Sequence, residues 1–384
     1  MLYSPRHFTP TQERAMAISY EEFRDAIHDG ARRRSLLFRD GRPFFVLLSQ
    51  QFSREELEQL CDTATAIRRL DRHRDGRDFL LGILRGRRVM NLFAQPSTRT
   101  AQSFIAAAEK LGATASLVSD LRTSSFAKGE SVADSVRTLS SFFDTIVVRH
   151  PDDEFSVQAA WALHSSKRPI PVVSGGSGKS QHATQGLLDL YTLRYSFDAR
   201  GGVDGKRILI VGDVARNRAA RSLALILTKF SPAAIDFVSP RDFQPDDELL
   251  GYLRRHEIPV RVTDGLEPLL RAHGREYDAI YMTRLQKEWE NAGVPKQGID
   301  EGELGADDAY VLRTDYRLLV RPDCVVMHPL PRINELPEAW DDHPGFVVWR
   351  QVRNGMWMRA ALFASIHGAD HEIRARAQRL GLLG

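Results

Sequence analysis

The sequence predicts an α/β protein built from two doubly wound domains with mainly parallel sheets. Three observations carry this. Short apolar runs alternate with helical patterns along most of the chain. A glycine-rich break falls at Gly201-Gly202. A second alternating set follows that break, so the 384 residues divide into two units, each of ~150 residues.

The elements follow in order. Residues 1–44 read as a polar lead-in, with one helix over 21–37 interrupted near Gly30. The basic triplet Arg32–Arg34 there reads as a solvated face. The core is expected to begin at the apolar run 44–49. Ser53 and Glu56 then have capping-box spacing. Leu57, Leu60, Cys61, Ala64 and Ile67 share one helical face. Strands are expected at 88–93, 115–118, 145–148 and 169–173, with helices at 97–111, 131–143 and 184–193. In the second unit, strands are expected at 207–211, 235–238, 260–262, 279–282 and 324–327, with helices at 219–230 and 246–255. The last strong helix is expected at 355–366.

Composition excludes several classes. Hydrophobic residues make up 42% and charged residues 27%, as in ordinary globular proteins. The 53 basic and 50 acidic residues nearly cancel to +3, which gives no electrostatic case for nucleic acid or a membrane surface. Two cysteines, Cys61 and Cys324, cannot form a disulfide framework and read as core thiols. No stretch is long and apolar enough for a membrane span, and residues 1–16 lack the apolar core of a secretory signal. The expected location is the cytoplasm.

Several motifs carry chemistry. Gln95-Pro96-Ser97-Thr98-Arg99-Thr100 stands between a strand and a helix. It offers hydroxyls, a forked cation and the free N–H groups of a helix start, a set suited to phosphate. An N-capped helix with a surface arginine accounts equally well for the composition. His182 and Gln185 follow another strand and lie on one helical face, where open parallel sheets bind ligands. A lone histidine at such a place is more often structural. Gly176-Ser177-Gly178-Lys179-Ser180 imitates a P-loop, but Val173 stands where that loop needs its first glycine. Val211-Gly212-Asp213 lacks the dinucleotide fingerprint. Arg149, Arg218 and Arg284 each follow an apolar strand. One such arginine is ordinarily a surface ion pair, but three with Arg99 suggest a pocket for a ligand with several negative charges. His328-Pro329-Leu330-Pro331-Arg332 supplies irregular backbone whose carbonyls can face a ligand.

In this order, these motifs resemble the aspartate/ornithine carbamoyltransferase family, most closely its aspartate branch. The resemblance runs from about residue 45 to residue 368. It rests on Pro96–Thr100, Lys128-Gly129-Glu130, Arg149-His150-Pro151, Gln181-His182 with Thr184-Gln185, Tyr281–Arg284 with Gln286-Lys287-Glu288, and His328–Arg332. His-Pro-Leu-Pro at 328–331, in place of the ornithine enzymes' His-Cys-Leu-Pro, favours aspartate.

The resemblance implies a carbamoyl-phosphate domain at 45–198 plus 353–384, an amino-acid domain at 199–352, a C-terminal helix returning to the first domain, and an N-terminal extension at 1–44. Ser97, Thr98, Arg99 and Thr100 would hold the phosphate. Thr100, Arg149 and His182 would contact the carbonyl oxygen. Gln185 and the Leu330 carbonyl would take the carbamoyl NH2. Arg99, Thr100, Arg149 and His182 would thus carry catalysis. Ser124 and Lys128 would come from a neighbouring subunit, which implies a homotrimer, with Lys128 shared between both substrates. Arg218, Arg284, Gln286 and Pro331 would hold aspartate. No metal or organic cofactor is implied, and a regulatory chain is left open.

The chain departs from the family pattern at Gln95 (usually Glu), Ala101 (usually Arg), Ala183 (usually Pro), Ala219 (usually Thr) and Trp289 (usually Arg). Ser174–Gly178 also replaces a usual Asn-Ala-Gly-Asp-Gly. The lost Glu and Arg normally pair across the domains, so closure is expected to be stabilised differently or to be weaker. Two alternatives stay open: an acceptor other than aspartate, and a non-catalytic homologue serving as a structural or binding subunit.

Overall fold

The computed structural model describes residues 18–95, 97–119, 129–178, 181–285 and 308–383. The core begins earlier than expected. Helices α1 (Tyr20–His28) and α2 (Gly30–Leu37) bury Phe23, Ile27 and Leu37 completely. Phe23, Ala26 and Ile27 recur at i, i+3 and i+4, an apolar stripe that the polar composition of the segment obscures. Arg33, expected on a solvated face, donates instead to the carbonyls of Ile27, His28 and Gln50.

A small hairpin, β1 (Phe38–Arg39) and β2 (Arg42–Pro43), leads into β3 (Phe45–Val46). The first unit continues through α3 (Arg54–Leu70), α4 (Arg74–Ile83), β4 (Arg88–Phe93), α5 (Thr98–Lys110) and β5 (Thr114–Val118). It closes with α6 (Val132–Ser140), β6 (Thr145–Arg149), α7 (Phe155–His164), β7 (Val172–Ser174) and α8 (Ala183–Ser196). Its sheet is wholly parallel, in the order β3-β7-β6-β4-β5. Ser53 and Glu56 form the foreseen capping box on α3. Strand β7 starts only after Pro171, since proline cannot donate to the ladder.

The second unit contains β8 (Arg207–Val211), α9 (Arg218–Leu227), β9 (Ala234–Val238), α10 (Asp247–Arg255), β10 (Val260–Thr263), α11 (Leu266–His273), β11 (Ala279–Met282) and β12 (Val325–Met327). Its sheet is also parallel, in the order β10-β9-β8-β11-β12. Along β8, Ile208 and Ile210 join one core while Leu209 and Val211 join another, the period-2 alternation of a strand covered on both faces. Helix α12 (Val348–Ile366) then returns to the first unit and packs against α3, α5 and α8, followed by α13 (Asp370–Arg379) against α3.

Chain order reverses between β4 and β6 in the first sheet and between β8 and β11 in the second. Open α/β sheets bind ligands outside the carboxyl ends of the strands at such points. At the carboxyl ends of those four strands stand Arg99 in the first turn of α5, Arg149 as the last residue of β6, Arg218 as the first of α9 and Arg284 just after β11.

Candidate active site

Helix α5 opens the site. Ser97 is its N-cap but makes no side-chain cap bond, whereas the caps Ser19, Ser53, Ser131 and Asp246 each bond their own helix. The first-turn N–H groups of Thr98, Arg99 and Thr100 therefore stay available to an anion. Arg99 lies on the exposed face of that turn. Burial and then the Arg284 charge lower its pKa, so the two guanidinium groups approach across the cleft from different sheets.

Arg149 ends β6 beside this turn, and its carbonyl accepts from the Ala94 N–H at 2.8 Å. Its Nη1 donates to the Gly175 carbonyl at 3.1 Å, while its buried Nε has no partner among the described residues. Burial, then the charges of Arg218, Arg359 and Arg99, pull it down to about 9, still charged at neutral pH. His182 caps α8 and is 5% exposed. Its backbone N–H donates to Ser222 Oγ at 2.9 Å. Burial, reinforced by Arg149, Arg218 and Arg359, holds the imidazole well below its ordinary 6.5, so it is neutral. Thr184 Oγ1 lies 3.4 Å from Nδ1. With that hydroxyl donating, the ring proton sits on Nε2. That nitrogen is buried and has no partner among the described residues. The arrangement leaves an N–H that can donate to a ligand.

Gly176 sets the spacing. Its φ of +97° favours glycine, and a Cβ there would lie 3.2 Å from both Arg218 Nε and the His182 ring.

Arg218 begins α9 and reaches into the first unit. It donates to the Gly178 carbonyl at 2.6 Å and to Gln95 Oε1 at 3.1 Å. Burial lowers it to about 10 against an opposing pull from Asp153. The two units are thus linked through neutral Gln95, where a cross-domain ion pair was expected to be missing. Ala219 offers no hydroxyl, and its N–H is taken by the Asn217 side chain at 3.0 Å.

The loop after β12 supplies the remaining wall. Leu330 has φ +60°, and its N–H donates to His328 Nδ1 at 2.8 Å. His328 Nε2 in turn pairs with Glu335 at 2.7 Å, the two side chains being 1% and 2% exposed. Pro331 follows Leu330 on the same loop.

The structure therefore places Ser97, Thr98, Arg99, Thr100, Arg149, His182, Gln185, Arg218, Arg284, Leu330 and Pro331 at or just beyond the carboxyl ends of the parallel strands, on the first turns of α5, α8 and α9, the end of β6 and the loops after β11 and β12. Ser124, Lys128, Gln286 and Trp289 lie outside the described residues. Sequence reasoning missed Asp189, Glu335, Gln351 and Arg359. Arg359 is 3% exposed on α12, lowered to about 10 by burial against Asp189, and donates to Ser103 at 2.6 Å. A charge between Met358 and Ala360 on an apolar helix was the available signal, as was Asp189 between Leu188 and Leu190.

Comparison with known proteins fits this geometry. A family model described as the carbamoyl-P binding domain of aspartate/ornithine carbamoyltransferase matches residues 46–195, and one for the Asp/Orn binding domain matches 204–366. The aspartate carbamoyltransferase catalytic subunit of Chromobacterium violaceum is 35% identical over 322 residues, covering 84% of this chain and 97% of that protein. Aspartate transcarbamoylase of Trypanosoma cruzi, solved with aspartate and phosphate, superposes with a TM-score of 0.71 at 30% identity, covering 84% of this chain and 94% of that one. The catalytic subunit of the M. Jannaschii aspartate transcarbamoylase also gives 0.71 at 30% identity, covering 85% and 98%.

Proposed function

The chain belongs to the aspartate/ornithine carbamoyltransferase family, and from that premise we propose that it carbamoylates L-aspartate. The carbamoyl group passes from carbamoyl phosphate to the aspartate amine, giving N-carbamoyl-L-aspartate and phosphate. One observation carries the reading: among the described residues Arg149 Nε and His182 Nε2 are both buried without a partner, close enough for the Arg149 charge to act on the imidazole, with Arg218 acting on both groups and Arg99 on Arg149.

The chemistry follows from those groups. Ser97 and the first turn of α5, with Arg99, hold the phosphate. Thr100, Arg149 and His182 point donors at the carbonyl oxygen. Gln185 and the Leu330 carbonyl accept from the carbamoyl NH2. Arg218 and Arg284, with Gln286 and Pro331, hold the acceptor. The amine attacks the carbonyl carbon, the C–N bond forms as the C–O bond to phosphate breaks, and the amine proton leaves with the phosphate. Charge builds on the carbonyl oxygen, where the neutral His182 and charged Arg149 donate most strongly. The remaining rate comes from holding two anions in attack geometry.

We further propose a cytoplasmic homotrimer in which Ser124 and Lys128 complete a neighbour's site. Among the described residues no helix is long and apolar enough to cross a membrane. Mixing Lys128→Ala with Arg99→Ala chains tests the sharing. Mixed trimers should recover part of the activity, and none recovered in verified mixed trimers refutes it.

The reaction is tested by incubating the protein with carbamoyl phosphate and L-aspartate while following phosphate release and product mass. Aspartate-dependent carbamoyl-aspartate supports the reading. Carbamoyl phosphate binding without that product moves the acceptor to another amine, for which Ala219 leaves room. Neither binding nor product makes the chain a non-catalytic homologue.

A further inference from the structure

Gln185 stands on the first turn of α8 and donates through Nε2 to Asp189 Oδ1 at 3.0 Å. A carboxylate oxygen accepts, so the amide must present its NH2 to Asp189 and turn Oε1 away from it. Among the described residues no donor pairs with that Oε1. Asp189 is completely buried, one helical turn below. The same Oδ1 accepts from Gln351 Nε2 of α12 at 2.7 Å, and Oδ2 accepts from the Tyr281 hydroxyl of β11 at 2.7 Å.

Gln351 continues the chain. Its Oε1 accepts from the His328 backbone N–H at 3.0 Å, which fixes the amide orientation from both ends. His328 Nδ1 then accepts from the Leu330 N–H at 2.8 Å. Gln185 and the Leu330 peptide are therefore the two ends of one buried hydrogen-bonded series: Gln185, Asp189, Gln351, His328, Leu330. The series crosses from α8 through α12 to the loop after β12. Nothing in the proposed reaction uses Asp189 or Gln351 directly.

We propose that Asp189 and Gln351 are positioning residues that hold Gln185 Oε1 and the Leu330 carbonyl as a matched pair of acceptors for the carbamoyl NH2. This rests on the carbamoyl phosphate reading above and adds the source of its donor selectivity. The NH2 has two protons to give, and two acceptors held at fixed spacing recognise it. A methyl in the same place leaves both acceptors desolvated and unpaired, the arrangement that discriminates most strongly between similar ligands. Acetyl phosphate makes that replacement.

The two oxygens of Asp189 have separate duties. Oδ1 serves both glutamines, whereas Oδ2 faces a hydroxyl that can donate or accept. Asparagine can keep Oδ1 on the glutamines and donate from its NH2 to Tyr281. Leucine can do neither.

The test measures binding of carbamoyl phosphate and acetyl phosphate to the wild type, D189N, D189L and Q351M, with KM and kcat for carbamoyl phosphate. The wild type should favour carbamoyl phosphate. The preference should fall about tenfold or more in D189L and in Q351M and stay within about threefold of wild type in D189N. Phosphate affinity, which depends on α5, should change little in any of them. Q351M removes hydrogen bonds at nearly constant volume, so it reports even where D189L does not fold. An unchanged preference in folded D189L or Q351M overturns the proposal, and so does a D189N as unselective as D189L. A wild type with no preference for carbamoyl phosphate overturns the functional reading instead.

Discussion

Removing Glu335 should destabilise the protein and blunt its activity together. His328 and Glu335 are both enclosed, at 1% and 2% side-chain exposure. The Leu330 N–H occupies His328 Nδ1, so the ring proton is on Nε2 and points at the carboxylate. The Ile333 N–H shares that carboxylate at 3.2 Å. Burial keeps His328 below its ordinary 6.5, though Glu335 opposes this. Burial tends to raise Glu335, but its hydrogen bonds from His328 and the Ile333 N–H oppose this and leave the carboxyl below its ordinary 4.5. The pair is thus a neutral imidazole donating to an ionised carboxylate. Glu335→Ala leaves the enclosed His328 Nε2–H without its acceptor, whereas Ile333 is 44% exposed, so a loss of about 1–3 kcal/mol is expected. Glu335→Gln keeps Oε1, which accepts from both His328 Nε2 at 2.7 Å and the Ile333 N–H at 3.2 Å, so a clearly smaller loss is expected. Urea midpoints with a constant slope give the stability change, and kcat/KM for carbamoyl phosphate reports the Leu330 carbonyl. Because Glu335 is depressed in the fold, its stabilisation is complete above 4.5 and is lost as pH falls through its folded value. The gap between wild type and Glu335→Ala should therefore narrow in acid. A Glu335→Ala protein within about 1 kcal/mol of wild type, or equal effects of Ala and Gln, would refute this account of the loop.

Three further outcomes are expected. His182→Ala should lower turnover by about 10²–10³ while leaving the fold intact; unchanged turnover in the steady-state assay removes His182 from the carbonyl oxygen. Asp189 is raised from 3.8 to about 7, chiefly by burial against the bonds from Tyr281, Gln351 and Gln185. Folding therefore takes up a proton between those values, and that carboxyl subtracts stability as pH rises from 3.8 to about 7. D189N should gain stability relative to wild type across that window in urea titrations, and a pH-independent difference contradicts the raised carboxyl. Gly176→Ala should lose about 1–3 kcal/mol from its left-handed backbone and raise KM for the amine acceptor by displacing Arg218, so an unaltered KM would show that the loop yields without moving the arginine.

Much of the architecture was legible because its signals are local. The runs 88–93, 207–211 and 279–282 match β4, β8 and β11, whose apolar β-formers are bounded by polar or turn residues. Helices with thin or unusual apolar faces were not. Helix α13 buries only Ile373 and Ala377, and α4 only Gly76 and Leu80. Helix α7 is apolar on most sides, which erases periodicity, and α11 carries Pro268 in its first turn. The start of α12 at Val348 was masked by exposed Trp349 and Val352 ahead of Gly355.

The candidate site divides in the same way. Residues at strand ends, such as Arg149 and Arg284, announce themselves by breaking an apolar run. The groups that orient them come from distant parts of the chain. Gln95 meets Arg218 across 123 positions, and Asp189 meets Gln351 across 162. Nothing local in the sequence marks either pair. The Gln95 contact also changes what its substitution means. The usual carboxylate is gone, but a neutral acceptor still holds Arg218 to the first unit, so the two units remain joined at the site without neutralising the arginine proposed to receive aspartate.

The central claim is that arginines from both sheets bind two anions side by side in one cleft. Calorimetric binding of N-(phosphonacetyl)-L-aspartate tests it most directly, because that compound joins a phosphonate to aspartate through one acetyl group. The account predicts one molecule per chain, held more tightly than carbamoyl phosphate or aspartate alone, and severely weakened by Arg149→Ala and by Arg218→Ala alike. Binding that survives Arg218→Ala unchanged, or that is no tighter than either substrate alone, would contradict it.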